Sequence, residues 1–116
     1  MSRRWVLDTD AVVDVLRGRH GVAARLAAVS PDDVGVASMT VAELTCGALN
    51  ARHPAAMLAE VERFLGAVRV LPFGGRAARL HGDLRRQLRH QPIGPEDLVI
   101  AATALGVGAT LVTANL

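Results

Sequence analysis

The chain has no lysine and no tyrosine, only one cysteine and only 3% aromatic residues. Without lysine, its acidic side chains can pair only with arginine, histidine or a bound cation. Reactions that need a lysine to support a phosphate are disfavoured as well. A single cysteine, Cys46, cannot form an intramolecular disulfide, and its absence of partners suits a reducing compartment. Cys46 lies in the small-residue stretch Thr45-Cys46-Gly47-Ala48, which reads as a buried structural thiol rather than a nucleophile. So few aromatics leave no platform on which single-stranded bases would stack. No apolar run is long enough to span a bilayer, and Met1-Ser2-Arg3-Arg4 leads straight into a short strand rather than a signal peptide. The expected location is the cytoplasm, with no membrane partner.

What is present fits one globular domain, residues 1–116, with a single core. Hydrophobic content is 51% and charged content 21%, which argues against disorder. All 13 basic residues are arginine, so little titrates between histidine and arginine, and the isoelectric point of 9.9 overstates a net charge of only +2. If several acids gather in one pocket, the remaining surface is more positive than that net value and suits a nucleic acid or an acidic partner.

Short apolar strands alternate with helical segments. Strands are expected at Trp5–Leu7, Val34–Ala37, Val68–Leu71 and Thr110–Val112. Helices are expected at Ala11–Arg17, Val22–Val29, Thr40–Leu49, from Pro54 through Leu65, Arg76–His90 and Pro95–Leu105. Strands that are apolar throughout and separated by helices imply an α/β parallel sheet covered on both faces. Ligands of such sheets bind beyond the carboxyl ends of the strands.

Three acids stand at the polar edges of apolar runs: Asp8, Glu43 and Asp97. Each has a structural explanation beside a functional one. Asp8-Thr9-Asp10 precedes a helix and supplies an N-cap, a role that suits Asp10 better and leaves Asp8 as a ligand. Thr40-Val41-Ala42-Glu43 has the form of a capping box. Asp97 is favoured in the first turn of its helix by the macrodipole, but Glu96 satisfies that equally, and Asp97 shares a face with Ile100, Ala101 and Ala104 that points inward. No histidine lies in these segments, which disfavours histidine acid–base chemistry. A carboxylate cluster is instead suited to a hard divalent cation.

Together the segments Leu7-Asp8-Thr9-Asp10, Leu16-Arg17-Gly18, Thr40-Val41-Ala42-Glu43-Leu44, Gly47-Ala48, Pro92 to Ala102 and Ala109 to Asn115 resemble the successive blocks of the PIN-domain ribonucleases, and most of all the VapC toxins of toxin–antitoxin pairs. The resemblance implies a PIN-like α/β/α sandwich, dependence on Mg²⁺ or Mn²⁺, and cleavage of RNA by metal-activated water. It also implies inhibition by a VapB-type antitoxin, in a homodimer or a hetero-oligomer with it. By position, Asp8, Glu43 and Asp97 form the implied catalytic site, with Asp8 and Asp97 as direct metal ligands. Thr9, Asp10, Thr113 and Asn115 are supporting candidates. Arg79, Arg85, Arg86 and Arg89 are candidates for an RNA-contacting rim, against the alternative of a solvated helix face. A cationic antitoxin side chain is expected beside the three acids, with apolar antitoxin residues over a groove between Ala11–Arg17 and Thr40–Leu49.

Two positions depart from the resembled pattern. Asp10 stands where asparagine is common, and Asn115 stands near the place of a fourth acid. A terminal helix and edge strand implied after it are not represented in this sequence. A haloacid-dehalogenase-like phosphatase is the enzyme alternative, because Asp8-Thr9-Asp10-Ala11-Val12 fits its nucleophile motif, though the supporting lysine and a late pair of adjacent aspartates are missing. A catalytically impaired PIN module that only holds its antitoxin is the non-enzyme alternative.

Overall fold

In the computed structural model, which describes residues 4–114, four strands form one parallel sheet. They are β1 (Trp5–Leu7), β2 (Val34–Ala37), β3 (Arg69–Leu71) and β4 (Thr110–Val112), in the order β3-β2-β1-β4. Six helices surround them: α1 (Thr9–Leu16), α2 (His20–Leu26), α3 (Ser38–Leu49), α4 (Pro54–Leu65), α5 (Gly75–Gln87) and α6 (Pro95–Gly106). A single 3₁₀ turn at Pro31–Asp33 leads into β2, with the Ser30 hydroxyl accepting from the Asp32 N–H.

The register explains the layering. Leu7 pairs with both Val36 and Val112, so these side chains leave the sheet on the same face. There Leu7, Val34 and Val36 are buried with Ala11, Val12, Val22, Leu44, Ala48 and Val61 from α1 to α4. Val6 and Ala37 alternate to the other face. They are fully buried, as are Ile100 and Ala102 of α6, which packs against β2 and β4. Each such aliphatic side chain contributes about 1.5–3 kcal/mol relative to leaving it in water. Both faces are thus covered over β1 and β2, as expected, whereas the edge strands β3 and β4 leave Val70 and Leu111 exposed.

The chain moves from β1 outward to β2 and β3, then returns to pair β4 on the other side of β1. The switch in direction therefore falls between β1 and β4. At that point the ladder runs one residue past the strand, because the Asp8 N–H donates to the Val112 carbonyl at 2.9 Å. Asp8 is in this way fixed where a ligand of this sheet class binds.

α5 and α6 form an antiparallel hairpin, packed closely enough that a methyl group built on Gly106 would lie 3.7 Å from Ala77. Nine residues back from Gly106 is Asp97, and nine residues on from Ala77 is Arg86. Equal rise along the two helices brings Arg86 level with Asp97.

Several expected boundaries shift. α3 begins at Ser38, two residues before Thr40, because β2 passes directly into it with Ala37 as N-cap and no loop between. α5 ends at Gln87 rather than His90, and Arg89 stands in the following turn. Cys46 is exposed rather than buried: it lies on the outer side of α3, where its sulfur accepts from Asn50 Nδ2 at 3.6 Å. Among the described residues no helix is long and apolar enough to cross a membrane.

Candidate active site

Asp8 follows β1 in extended conformation (φ −75°, ψ 173°) and is itself the N-cap of α1, its Oδ1 accepting from the Ala11 N–H at 2.8 Å. The sequence had favoured Asp10 for that role. The cap forms at Asp8 because α1 starts at Thr9, immediately after the strand, which makes Asp10 a first-turn residue exposed to solvent. Capping and ligation are compatible. The cap occupies Oδ1 and orients the carboxylate, leaving Oδ2 for another partner.

Glu43 does not close a capping box. With α3 starting at Ser38, Thr40 is already inside the helix and fully buried, and Glu43 turns across to α1. Its Oε1 accepts from the Thr9 hydroxyl at 2.5 Å. Thr9 Oγ1 also lies 3.2 Å from Thr40 Oγ1. A half-buried carboxylate is thereby tied to the residue next to Asp8.

Asp97 is the third residue of α6 and lies over the helix start, where a Cβ built on Gly94 would be 3.4 Å from Asp97 Oδ2. The inward orientation read from its helical face is not realised: Asp97 is exposed, because the first turn of α6 projects beyond the sheet edge. Its carboxyl is nevertheless pushed above the ordinary aspartate value of 3.8, first by partial burial and then by the negative charges of Asp8, Asp10 and Glu96. Those couplings bring Asp97, Asp8 and Asp10 into one electrostatic neighbourhood.

A carboxyl whose folded-state pKa is raised disfavours the folded state when ionised, and that penalty is relieved as pH falls through the raised value. Asp97→Asn removes the penalty. Without divalent metal, its melting temperature should equal or exceed that of the parent protein at neutral pH. The advantage should shrink as pH falls toward 3.8, as thermal melts across pH will show. A lower melting temperature at neutral pH would contradict the repulsion.

The remaining candidates are unevenly situated. Thr113 is half-buried just after β4, and Asn115 lies outside the described residues. Arg79 folds back over Gly75, with its Nη1 3.4 Å from a Cβ built there. Arg86 pairs loosely with Asp83 at 3.7 Å, and Arg89 Nε donates to His90 Nε2 at 3.2 Å. Arg85 is exposed on α5, but Arg89, beyond the helix, does not continue its face.

Among the described residues, no group of three or more histidine, cysteine, aspartate or glutamate side chains is close enough to hold a metal by itself. The donor chemistry still fits Mg²⁺, which commonly takes one or two carboxylates and fills its other positions with water and substrate phosphate. Asp8 and Asp97, with Asp10 beside them, offer hard oxygen donors of that kind.

Next to this edge runs a groove with a cavity of ≈ 260 Å³ between α1, α3 and α4, bounded by Val13, Leu16, Leu44, Gly47, Met57 and Val61, with Thr9 and Glu43 also in its lining. The sequence pointed to its α1 and α3 walls but not to α4. Arg17, which the sequence marked only as part of the Leu16-Arg17-Gly18 segment, also reaches its lining.

The PIN domain family matches residues 5–116. The chain is 32% identical over 115 residues to ribonuclease VapC2 of Haemophilus influenzae, covering 97% of this chain and 87% of that protein. The chain belongs to the PIN-domain family, among the VapC ribonucleases. It is also 29% identical over 114 residues to the tRNA(fMet)-specific endonuclease VapC of Shigella flexneri, covering 97% of this chain and 86% of that one. A chain in the crystal structure of DNA-bound VapBC from Salmonella typhimurium matches this fold with a TM-score of 0.92 at 30% identity, covering 99% of this chain and 89% of that chain. Membership in the PIN family, with the fold to match, displaces the phosphatase alternative.

Proposed function

We propose that this VapC-type PIN domain is the toxin of a toxin–antitoxin pair and cuts RNA by Mg²⁺- or Mn²⁺-assisted attack of water on a phosphodiester. The observation that carries the proposal is the meeting of three elements at the carboxyl edge of the sheet. The Asp8 cap ends β1, Asp97 at the start of α6 feels the charges of Asp8 and Asp10, and Glu43 of α3 is bonded to the residue after Asp8. Four acids of such different chain position have little structural reason to share one edge.

In this reading Asp8 and Asp97 hold the ion. When bound, the metal lowers the pKa of water and stabilises charge developing on the phosphate. Glu43 accepts a hydrogen bond from the attacking water and orients it toward phosphorus, while its Oε1 remains on Thr9. Asp10 adds negative charge that strengthens cation binding. Arg85 and Arg86 in the last turn of α5, with Arg89 in the turn after it, attract the flanking phosphates. The named specificity of the Shigella relative makes structured RNA, transfer RNA first, the substrate class to test.

The partner in this reading is a VapB-type antitoxin, the kind of complex in which the Salmonella neighbour was solved. Its apolar residues would cover the groove between α1, α3 and α4, and a cationic side chain would be drawn to Glu43 at the polar part of that groove. The site of action is the cytoplasm. The direct experiment incubates purified protein with transfer RNA in Mg²⁺ and in EDTA. Cleavage with Mg²⁺ alone is expected; a protein that binds antitoxin yet cuts no RNA would favour the impaired binding module.

A further inference from the structure

We infer that Thr9 is a positioning residue that sets the orientation of the Glu43 carboxylate for the attacking water. The inference rests on the nuclease reading of Asp8, Glu43 and Asp97. Its own basis is the hydroxyl-centred contact joining α1 to α3.

Thr9 is the first residue of α1 and follows Asp8 directly. Its Oγ1 donates to Glu43 Oε1 at 2.5 Å and lies 3.2 Å from the hydroxyl of fully buried Thr40. A hydroxyl carries one hydrogen. With that of Thr9 given to Glu43, the contact with Thr40 is served by the Thr40 hydrogen, and the order becomes Thr40 to Thr9 to Glu43. Each donor in such a chain polarises the next.

The arrangement fixes a flexible group from one side. A glutamate side chain has several rotatable bonds, and the carboxylate of Glu43 would otherwise move freely at a half-buried edge. Bonding through Oε1 to Thr9 ties it to the same short segment that carries Asp8, so the spacing between the two acids is set by a rigid strand–helix junction. The second oxygen, Oε2, makes no hydrogen bond among the described residues and is the atom available to water. Because Thr40 stands one turn before Glu43 on α3, the same hydroxyl also braces the helix from which Glu43 projects. A role confined to packing would need the methyl and the shape of Thr9 but not its hydroxyl.

Thr9→Val keeps the branched shape and removes only the hydrogen-bonding group, whereas Thr9→Ser keeps the hydroxyl. With saturating Mg²⁺, Thr9→Val should lower kcat for RNA cleavage by about 10- to 100-fold, the range for losing a partner that orients a ligand or catalytic group. KM should stay within about twofold, and Thr9→Ser should stay within about threefold of the parent kcat. Because Thr9 acts through Glu43, the double variant Thr9→Val/Glu43→Gln should cleave no more slowly than Glu43→Gln alone.

A second readout needs neither metal nor RNA. Urea unfolding of Thr9→Val, Glu43→Ala and their double variant should give a midpoint loss in the double that is smaller than the two single losses combined. Parent-like kcat in Thr9→Val, failure of Thr9→Ser to restore kcat, or multiplying effects of Thr9→Val and Glu43→Gln would each overturn the positioning role. Additive urea midpoints would overturn the bond on which it stands. If the parent protein cuts RNA and Thr9→Val cuts it equally well, this inference alone fails; if the parent cuts no RNA, the nuclease reading fails and takes this inference with it.

Discussion

Asp8→Asn and Asp97→Asn should each lower RNA cleavage by about a hundred- to a thousandfold, the cost typical of removing one group that stabilises transition-state charge. The protein remains folded in both cases, for separate reasons. Asparagine at position 8 retains the oxygen that accepts from the Ala11 N–H, and asparagine ranks with aspartate as an N-cap. At position 97 the ionised carboxylate is disfavoured first by partial burial and then by repulsion from Asp8, Asp10 and Glu96, so its neutralisation should relieve the fold. Asp8→Ala is the informative contrast. It removes ligand and cap together and should cost about 1 kcal/mol of stability in addition to activity. Single-turnover cleavage rates alongside urea midpoints check all three variants. Parent-like cleavage in either asparagine variant would remove that residue from the site.

Gly47→Leu should weaken binding of a cognate VapB-type antitoxin by about a hundredfold, or about 2.7 kcal/mol, while the free protein should become no less stable. Gly47 sits in the last turn of α3, lining the groove, and a Cβ built on it meets nothing within 4 Å. The added side chain therefore enters space that an antitoxin's apolar residues would occupy, without disturbing the core beneath. Replacing a helical glycine also gains backbone entropy, up to roughly 0.5–1 kcal/mol. A titration of antitoxin against parent and variant, with melting curves of each alone, reads both effects. Unchanged affinity would mean that the antitoxin does not use this groove.

The two-sided parallel sandwich was legible because β1 and β2 are apolar without alternation and the connections carry helical spacing. The strand order was not, since nothing local to β4 says on which side of β1 it pairs. At the site, the identity of the acids was legible but their local roles were partly exchanged. Thr40-x-x-Glu43 has the letters of a capping box, yet β2 enters α3 without a loop, so the helix starts before Thr40 and both residues become free to meet Thr9. Asp10 looked like the better cap because a loop residue was assumed between strand and helix; with none, Asp8 takes it. Asp97 looked inward by its helical face, but it is exposed with its neighbours Pro95 and Glu96 in the first turn of α6 and only partly shielded from water. Arg89 was expected on the same helix as Arg85, but α5 ends at Gln87 and leaves Arg89 beyond it. Each of these differences comes from where an element starts or stops, which long-range packing decides.

The central claim, that Asp8 and Asp97 together hold a divalent ion, is tested most directly by Mn²⁺ binding without RNA. The free-ion signal in electron paramagnetic resonance is followed as Mn²⁺ is titrated into the parent protein, Asp8→Asn, Asp97→Asn and Glu43→Gln. The parent should take up Mn²⁺, Mg²⁺ should compete for it, and each aspartate variant should lose at least about tenfold in affinity, while Glu43→Gln loses less. Equal Mn²⁺ uptake by the parent and both aspartate variants would contradict the account.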